Sequence, residues 1–460
     1  MNNAWEENPR YAAAREIVVT LRAAGHGAYF AGGCVRDLLL GVEAKDFDVA
    51  TSATPDVVMR MFAKTYSVGA HFGVVLVRSL GEDGSEIATE VATFRHDGVY
   101  SDGRRPDAVR FSTDPREDVQ RRDFTINGML FDPLAGRGEE AILDFVGGRE
   151  DLTRHRVRTI GIAKDRFTED KLRMLRAVRF AARLEFEIDA ATTAAIRELA
   201  GEITQVSLER IRDELTLMLT EGHARRAFEL LDTTGLLAYV LPEALRMKGV
   251  EQPPQYHPEG DVWVHTMLLL EKLRPGASPT LAWGALLHDI GKPATFRPPD
   301  PKKPGDRIRF DGHVEVGVRI AETVLARLRF SNEDTEQIVA LVKNHMRFGD
   351  ILQMREATVK RFLRLPKFDE HLGLHWMDCM SAHGDLRLYE FAKERYEAVP
   401  VEEMRPKLLV TGRDLIAAGY RPSPQFKEML EVAEDAQLEG AVTTTQEGLA
   451  VVKARWGEPA

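Results

Sequence analysis

Asp46 and Asp48 stand two residues apart in GGCVRDLLLGVEAKDFDVATSATP, residues 32–55. If DFDVAT runs as a strand, both carboxylates project from one face while Phe47 and Val49 turn inward. Carboxylates about 7 Å apart along a strand, by the rise per residue, repel unless a cation lies between them. Mg²⁺ suits such a pair, because it takes few carboxylates and completes its octahedron with phosphate oxygens and water. Two such ions would activate an attacking hydroxyl and steady a leaving pyrophosphate. Glu90, in EIATEVATF, is expected as a third carboxylate, with Glu86 on the same strand face as the reserve. The Gly32–Gly33 pair lets backbone amides approach a polyphosphate at a helix start, and Arg36 one turn on would clamp a phosphate oxygen. The glycine pair alone also fits a plain strand-to-helix turn, and the carboxylates alone a solvent-exposed turn. Together, glycine pair and Asp-x-Asp point to a metal-bound triphosphate.

Two further constellations lie downstream. Taken as one helix over EDKLRMLRAVRFAARL, Asp170, Arg173, Arg176 and Arg183 share a side. Leu172, Leu175, Val178 and Ala182 form the adjoining apolar arc, with Arg179 near the seam. A carboxylate accepts from the exocyclic amine that cytosine and adenine share, and an arginine donates to the ring nitrogen beside it. An ordinary i,i+3 salt bridge on an exposed helix is the competing reading. In the second half, His265, the pair His288–Asp289, His313, His345 and Asp378 sit in or at the ends of helical segments. A lone helical histidine is usually structural, but an adjacent His–Asp pair flanked by histidines points to a metal site. Imidazole and carboxylate ligands suit Ni²⁺, Mn²⁺, Fe or Mg²⁺.

The elements that must hold these groups follow from periodicity. Residues 10–25 read as an amphipathic helix, AYFAGG as a strand entering a glycine turn, and TPDVVMRMF as a helix capped by Thr54. FGVVLVRS and EIATEVATF are further strands. Past residue 140 or so strand signals fade and helical periodicity dominates. EQPPQYHPEGD, residues 251–261, is rich in Pro and Gly and reads as a connection, His257 with it. The expected class is α+β: a head on a small mixed sheet, then an all-α neck and body, then a second all-α domain. The expected boundaries are 1–140, 141–250, 251–400 and a helical tail over 401–460.

Composition narrows the classes. The 460 residues are 44 % hydrophobic and 29 % charged, as in ordinary globular proteins. No apolar run reaches membrane-span length, and MNNAWEENPR is not a signal peptide. Two cysteines, Cys34 and Cys379, favour a reducing cytoplasm over a disulfide scaffold. A net charge of −10 speaks against a general nucleic-acid binder, yet residues 149–183 carry eleven Lys/Arg against five Asp/Glu. That stretch reads either as a solvated helical face or as a surface for polyphosphate or RNA.

Glycine pair and Asp-x-Asp are followed by RRDFTING (121–128), DFVGGREDL (144–152), EDKLRMLRAVRF (169–180) and ERIRDEL (209–215). In this order they resemble the class II tRNA nucleotidyltransferase and bacterial poly(A) polymerase superfamily, across nearly the whole chain. The resemblance implies a DNA-polymerase-β-like head in which Asp46 and Asp48 bind catalytic Mg²⁺. It implies that Gly33, Arg36 and Arg122 contact the nucleotide, beside the Gly32 read above as part of the phosphate turn. Asp170 and Arg173 would recognise the base, with Arg176 and Arg179 gripping the triphosphate. Lys171 stands where many members carry proline. The implied reaction is template-independent CCA addition to tRNA 3′ ends from CTP and ATP, without DNA or membrane partners. A-only addition comes second and poly(A) tailing third. RHDGVYSDGRRPDAVRF (95–111), a loop that CC-only members tend to lack, favours CCA or A-only addition, and VGAHFGVVLV (68–77) lacks a basic pair of poly(A) polymerases.

The order H…HD…H…H…D, with LLHDIGKP at its centre, resembles the HD phosphohydrolase superfamily. That resemblance implies His265, His288, Asp289 and Asp378 as metal ligands. His313 and His345 would complete a second metal site or position phosphate. It implies 2′,3′-cyclic phosphodiesterase, 2′-nucleotidase or phosphatase activity. The rival from another class is an HD phosphohydrolase whose head only binds RNA. Neither motif nor composition specifies an oligomeric state.

Overall fold

The computed structural model describes residues 5, 7–67, 73–81, 84–98, 109–136, 139–398, 400 and 406–458. Most of the 95–111 loop, and residues 68–72 of the 68–77 stretch, lie outside the described residues. The chain divides into two compact units, Met1–Pro242 and Glu243–Ala460.

In the first unit the order is α1 (Pro9–Ala23), β1 (Ala28–Ala31), α2 (Gly33–Leu40), β2 (Asp48–Thr51), α3 (Pro55–Met61), β3 (Thr65–Ser67), β4 (Val74–Leu80), β5 (Glu86–Thr93), β6 (Arg95–Asp97), β7 (Val109–Phe111), α4 (Pro115–Gln120), β8 (Met129–Phe131), β9 (Ile142–Asp144), α5 (Gly148–Thr153), β10 (Arg156–Val157), α6 (Ala163–Glu169), α7 (Leu172–Arg183), β11 (Glu187–Ile188), α8 (Ala190–Leu199), α9 (Leu208–Thr220), α10 (Ala224–Thr233) and α11 (Leu237–Val240). A short α12 (Pro242–Leu245) follows. Seven strands form one mixed sheet in the order β3-β4-β5-β2-β1-β8-β9. The β2–β5 pair is parallel and its neighbours are antiparallel. α1 begins where Asn8 caps the Arg10 amide and Pro9 takes the first position. Its inner face meets the sheet through Tyr11, whose ring lies 5.3 Å from Phe30 and 5.5 Å from Phe47. Phe47 is thus a buried peg between the two aspartates and fixes where they emerge.

EDKLRMLRAVRFAARL is not one continuous helix. Asp170 takes an extended conformation at φ −143°, and its Oδ1 accepts the Leu172 amide at 3.1 Å. That side-chain bond competes with the helical ladder and separates α6 from α7. Asp170 therefore leaves the helical face expected for it, while Leu172, Leu175, Val178 and Ala182 of α7 are buried as the periodicity requires.

The second unit is helical: α13 (Val262–Glu271), α14 (Pro279–Leu287), α15 (Lys292–Thr295), α16 (His313–Arg327), α17 (Asn332–Asn344), α18 (Glu356–Leu363), α19 (Phe368–Ser381), α20 (Arg387–Ala398), α21 (Gly412–Ala417), α22 (Gln425–Leu438) and α23 (Thr445–Trp456). α13 and α14 bury seven of ten and seven of nine residues, which suits helices that are largely apolar. Residues 251–261 are more than a tether. Val262 donates to the Val250 carbonyl at 3.0 Å, and Lys292 donates to Gln252 at 2.7 Å. Among the described residues no helix is long and apolar enough to cross a membrane.

Candidate functional site

In the first unit the register builds a carboxylate cluster. Ala31 pairs with Asp48 across β1–β2, which sets Asp48 beside the Gly32 turn. Val49 pairs with Val91 across the parallel β2–β5 ladder, so Glu90 is the neighbour of Asp48. Burial first, then the Glu90 charge, pushes the Asp48 carboxyl up to about 6 against the opposing pull of Arg122, with Asp46 adding to the rise. Asp46 lies just before β2, is exposed, and accepts from Arg10 at 2.9 Å. Three carboxylates crowded in this way fit a divalent cation, whose charge would return Asp48 to its ionised form. Glu86 is not part of the cluster. It sits opposite Leu80 at the far end of β5, held by Arg78 at 2.5 Å and Lys64 at 3.4 Å.

A cavity of about 710 Å³ opens beside these groups. It is lined by Gly32, Gly33, Arg36, Asp46, Asp48, Arg122, Asp170, Arg173, Arg176 and Arg179, so the expected nucleotide contacts converge there. Gly32 adopts φ +80°, and a Cβ there would lie 3.2 Å from Arg122 Nη1. Only glycine lets the backbone turn and the guanidinium come this close.

The arginines are held by a closed circuit of partners. Arg36 donates to Asp37 at 2.8 Å and to Asn127 at 2.7 Å. Asn127 donates to Asp123 at 3.2 Å, and Asp123 accepts Arg176 at 2.8 Å. Arg176 lies 3.7 Å from Glu214, and Glu214 accepts Arg179 at 2.7 Å. Arg179 reaches Glu221 at 3.1 Å; Arg183 lies 3.6 Å from Glu221 and 3.9 Å from Asp37, which closes the circuit. Arg36, Arg176 and Arg179 also cluster over the Phe180 ring, 4.5–5.3 Å from its centre. Burial would raise the Asp123 carboxyl, but the Arg176 guanidinium holds it below the usual carboxylate range. Asp123, Asn127, Phe180 and the two glutamates escaped the sequence reading. RRDFTING and ERIRDEL held part of the signal, but not which side chains face the cavity.

Asp170 and Arg173 do not form a side-chain ion pair. Asp170 accepts Arg210 at 2.8 Å, whereas Arg173 donates to Glu169 at 2.6 Å and to the Arg166 and Arg121 carbonyls at 3.1 Å. The competing i,i+3 salt bridge is therefore absent too. Among the described residues each Asp170 side-chain oxygen accepts one hydrogen bond, and a carboxylate has about four lone-pair sites.

The second unit gathers the histidine series. His265 Nε2 lies 3.1 Å from Asp378 and 4.0 Å from Asp289 Oδ2, and His288 Nε2 lies 3.2 Å from the same oxygen. His313 and His345 Nε2 lie 3.8 and 3.6 Å from Asp289 Oδ1. Among the described residues three sets of close ligand atoms form: His265, His288 and Asp378; Asp289, His313 and His345; and, on the other side of His265, His257 and Glu259 with it. His288, His313 and His345 point Nδ1 at the carbonyls of Ala285, Phe310 and Val342, 2.7–2.9 Å away. That fixes the tautomer with the lone pair on Nε2. Among the described residues all four Nε2 atoms are buried without a hydrogen-bond partner, although against the cost of burial the Asp378 and Glu259 carboxylates raise the His265 imidazole to about 9, a rise that a bound cation would reverse. Four orphaned acceptors converging on carboxylates fit a divalent metal better than any apolar packing role. Burial opposes ionisation of Asp289, but Lys292 at 2.6 Å and His288 hold its carboxyl well below the usual range. Burial pushes the His345 imidazole down to about 4. Beside the cluster, a cavity of about 610 Å³ is lined by Lys292, Arg307, Arg309, Tyr256 and Phe310.

Comparison with known proteins gives the following. Residues 28–158 match the poly A polymerase head domain, 185–247 the probable RNA and SrmB-binding site of polymerase A, and 314–452 the putative tRNA nucleotidyltransferase domain 2. The CCA-adding enzyme of Bacillus pumilus is 32 % identical over 449 residues, 96 % of each chain. That of Oceanobacillus iheyensis is 44 % identical over 218 residues, 47 % of this chain and 52 % of that enzyme, so this match spans about half of either. The crystal structure of the Bacillus stearothermophilus CCA-adding enzyme in complex with CTP superposes with a TM-score of 0.73 at 28 % identity, covering 98 % of each chain.

Proposed function

We propose that this chain, which belongs to the tRNA nucleotidyltransferase and poly(A) polymerase family, is a template-independent nucleotidyltransferase that completes the CCA end of tRNA from CTP and ATP. The observation that carries this reading is one cavity lined by Asp46, Asp48, the Gly32–Gly33 turn and Asp170 with Arg173. Asp46, Asp48 and Glu90 would hold Mg²⁺, which in a two-metal transfer supplies charge neutralisation of the triphosphate and acidification of the tRNA 3′-hydroxyl. Gly32 and Gly33 let the backbone approach the phosphates, and Arg36 and Arg122 offer guanidinium donors beside them. The 3′-hydroxyl attacks the α-phosphorus in line and pyrophosphate leaves. Asp170 accepts the exocyclic amine of cytosine or adenine, and Arg173 donates to the adjoining ring nitrogen; guanine and uracil put a carbonyl where the amine should be.

The test offers the purified chain tRNAs ending before CCA, at C and at CC, with CTP and ATP, beside Asp48→Ala. Stepwise completion of all three, lost in the variant, is the expected result. Addition of A alone to the CC-ended tRNA favours an A-adding enzyme instead. A long A ladder on unrelated RNA favours poly(A) polymerase, and addition that survives Asp48→Ala removes the head from the chemistry.

The four orphaned Nε2 atoms support a second activity in the second unit, metal-dependent phosphoester hydrolysis. His265, His288, Asp289 and Asp378 would hold a divalent ion, with His313 and His345 beside a second. Such an ion lowers the pKa of a bound water and polarises the phosphoryl oxygen. Lys292, Arg307 and Arg309 line the neighbouring cavity and offer cationic donors to a phosphoester, beside the carboxylates of Asp311 and Asp385. Release of phosphate or opening of a 2′,3′-cyclic nucleotide, lost in His288→Ala while CCA addition persists, is the expected outcome. Equal hydrolysis by His288→Ala sinks this second activity.

A further inference from the structure

Of the four histidines around Asp289, three rest Nδ1 on a carbonyl three residues earlier in their own chain segment. His265 does not. Its Nδ1 lies 2.7 Å from Oε1 of Glu259, which comes from the segment before α13. The same oxygen takes Nδ1 of His257 at 2.9 Å, and the two imidazoles stand 4.9 Å apart, nearly perpendicular. The Glu259 side chain is only 8 % exposed and His265 is fully buried, so water does not compete for these bonds. Contacts of 2.7 and 2.9 Å are hydrogen-bond lengths, and one carboxylate oxygen has lone pairs for two donors.

We propose that Glu259 is the positioning residue of the second unit's metal centre, a role that rests on the metal reading above. By accepting a hydrogen bond from Nδ1–H it holds His265 in the one tautomer whose lone pair is on Nε2, the atom facing Asp378 and Asp289. Being a carboxylate, it also makes that imidazole a stronger donor than a carbonyl partner would. Through His257, which lines the adjoining cavity, it ties the cavity wall to the ligand ring. Gln252 acts in parallel on Lys292, the partner of Asp289. Residues 251–261, which read as a connection in sequence, thus supply the outer support of the site.

The experiment titrates the full chain with Mn²⁺, followed by the EPR signal of free ion, in an Asp46→Asn/Asp48→Asn background that silences the first unit. Glu259→Ala is expected to weaken Mn²⁺ binding about 10- to 100-fold at temperatures where the metal-free variant is fully folded, although the loss of two buried hydrogen bonds lowers its melting temperature. Glu259→Gln should lose less, since its amide oxygen still accepts both N–H groups. Nitrogen NMR of His265 in the metal-free chain, at alkaline pH where the imidazole is neutral, should show the Nδ1-protonated tautomer in the parent and a mixture in Glu259→Ala. Unchanged affinity in Glu259→Ala overturns the proposal. So does loss of binding only in step with a lowered melting temperature while Glu259→Gln keeps full affinity. If the parent binds no more Mn²⁺ than its His288→Ala/Asp289→Asn derivative, the metal reading fails and the proposal with it.

Discussion

Arg210 of α9 donates to the Asp170 carboxylate at 2.8 Å, across the break between α6 and α7. The carboxylate proposed to read the base is therefore oriented by an arginine forty residues away in sequence, not by its neighbour Arg173. A charge-assisted bond of this kind contributes about 1.5–3 kcal/mol. Arg210→Ala should raise KM for CTP and ATP about tenfold and admit more GTP and UTP. Steady-state incorporation of the four nucleotides measures this, and unchanged selectivity would mean that Asp170 needs no such support.

The parallel register that sets Glu90 beside Asp48 separates two glutamates of one strand. Glu90→Gln should lower nucleotide addition on the order of a hundredfold, by removing a charge that helps to hold a divalent cation. Glu86→Gln, which breaks only exposed pairs with Arg78 and Lys64, should stay within about twofold. Equal losses in single-turnover assays would show that the ladder does not define the metal site.

Arg179 and Glu214 form a buried pair inside the circuit of charges. Removing Glu214 leaves Arg179 with Glu221 as its one carboxylate partner in the circuit, so Glu214→Ala should destabilise the first unit, by less than the roughly 3–5 kcal/mol of a fully stranded buried charge. Arg179→Met combined with Glu214→Leu should recover most of that, yet not restore activity, because the circuit that orients Arg176 and Arg183 is cut. Urea unfolding together with addition assays measures both, and a double variant as unstable as Glu214→Ala contradicts the electrostatic account.

These contrasts show which features a sequence carries. Burial of Phe47 between the two aspartates was legible in the alternation of the sequence, but the strand begins only at Asp48, so Asp46 stands just ahead of it rather than on its face. The apolar arc of α7 was legible for the same reason at a period of 3.6. The break at Asp170 was not, since helical periodicity runs through it without Gly or Pro and a single side-chain bond decides the matter. Arg179 meets Glu214 across 35 positions, a separation that no local pattern encodes. Glu259 lies in a stretch whose Pro and Gly content signals a connection, and only tertiary packing brings its carboxylate to His265. Compact units dividing after Pro242, well beyond the end of the sheet, likewise reflect packing rather than composition.

His371 of α19 is buried with no hydrogen-bond partner for Nε2, and burial pushes its imidazole down to about 4. Between about pH 6.5 and 4 the unfolded chain takes up a proton there that the folded chain refuses. Stability is therefore highest above pH 6.5 and falls as pH drops through that window, by at most about 3 kcal/mol for this group. His375, also pushed down to about 4, adds a second loss of the same sign. His371→Phe should flatten the acid limb of melting temperature against pH, and an unaltered limb would assign the acid sensitivity elsewhere.

Gly291 tests whether the His–Asp turn and α16 must touch for the second unit to hold its histidines. A Cβ at this position would lie 2.1 Å from the His313 carbonyl oxygen and 2.6 Å from the Gly317 amide nitrogen. These are backbone atoms at the start of α16, so no side chain can swing aside to make room. Gly291→Ala must push the first turn of α16 away from Asp289, and His313 moves with it, since His313 Nε2 lies 3.8 Å from Asp289 Oδ1. Overpacking of this kind costs about 1–3 kcal/mol or more, so calorimetry should show a lowered melting transition. In Mn²⁺ titrations the set of Asp289, His313 and His345 should weaken, whereas His265, His288 and Asp378 retain binding. Nucleotide addition, assigned to residues of the first unit, should persist at temperatures where the variant is folded. A variant that melts within about a degree of the parent, with unchanged Mn²⁺ stoichiometry, would mean that α16 yields freely and that its contact with Gly291 does not position His313.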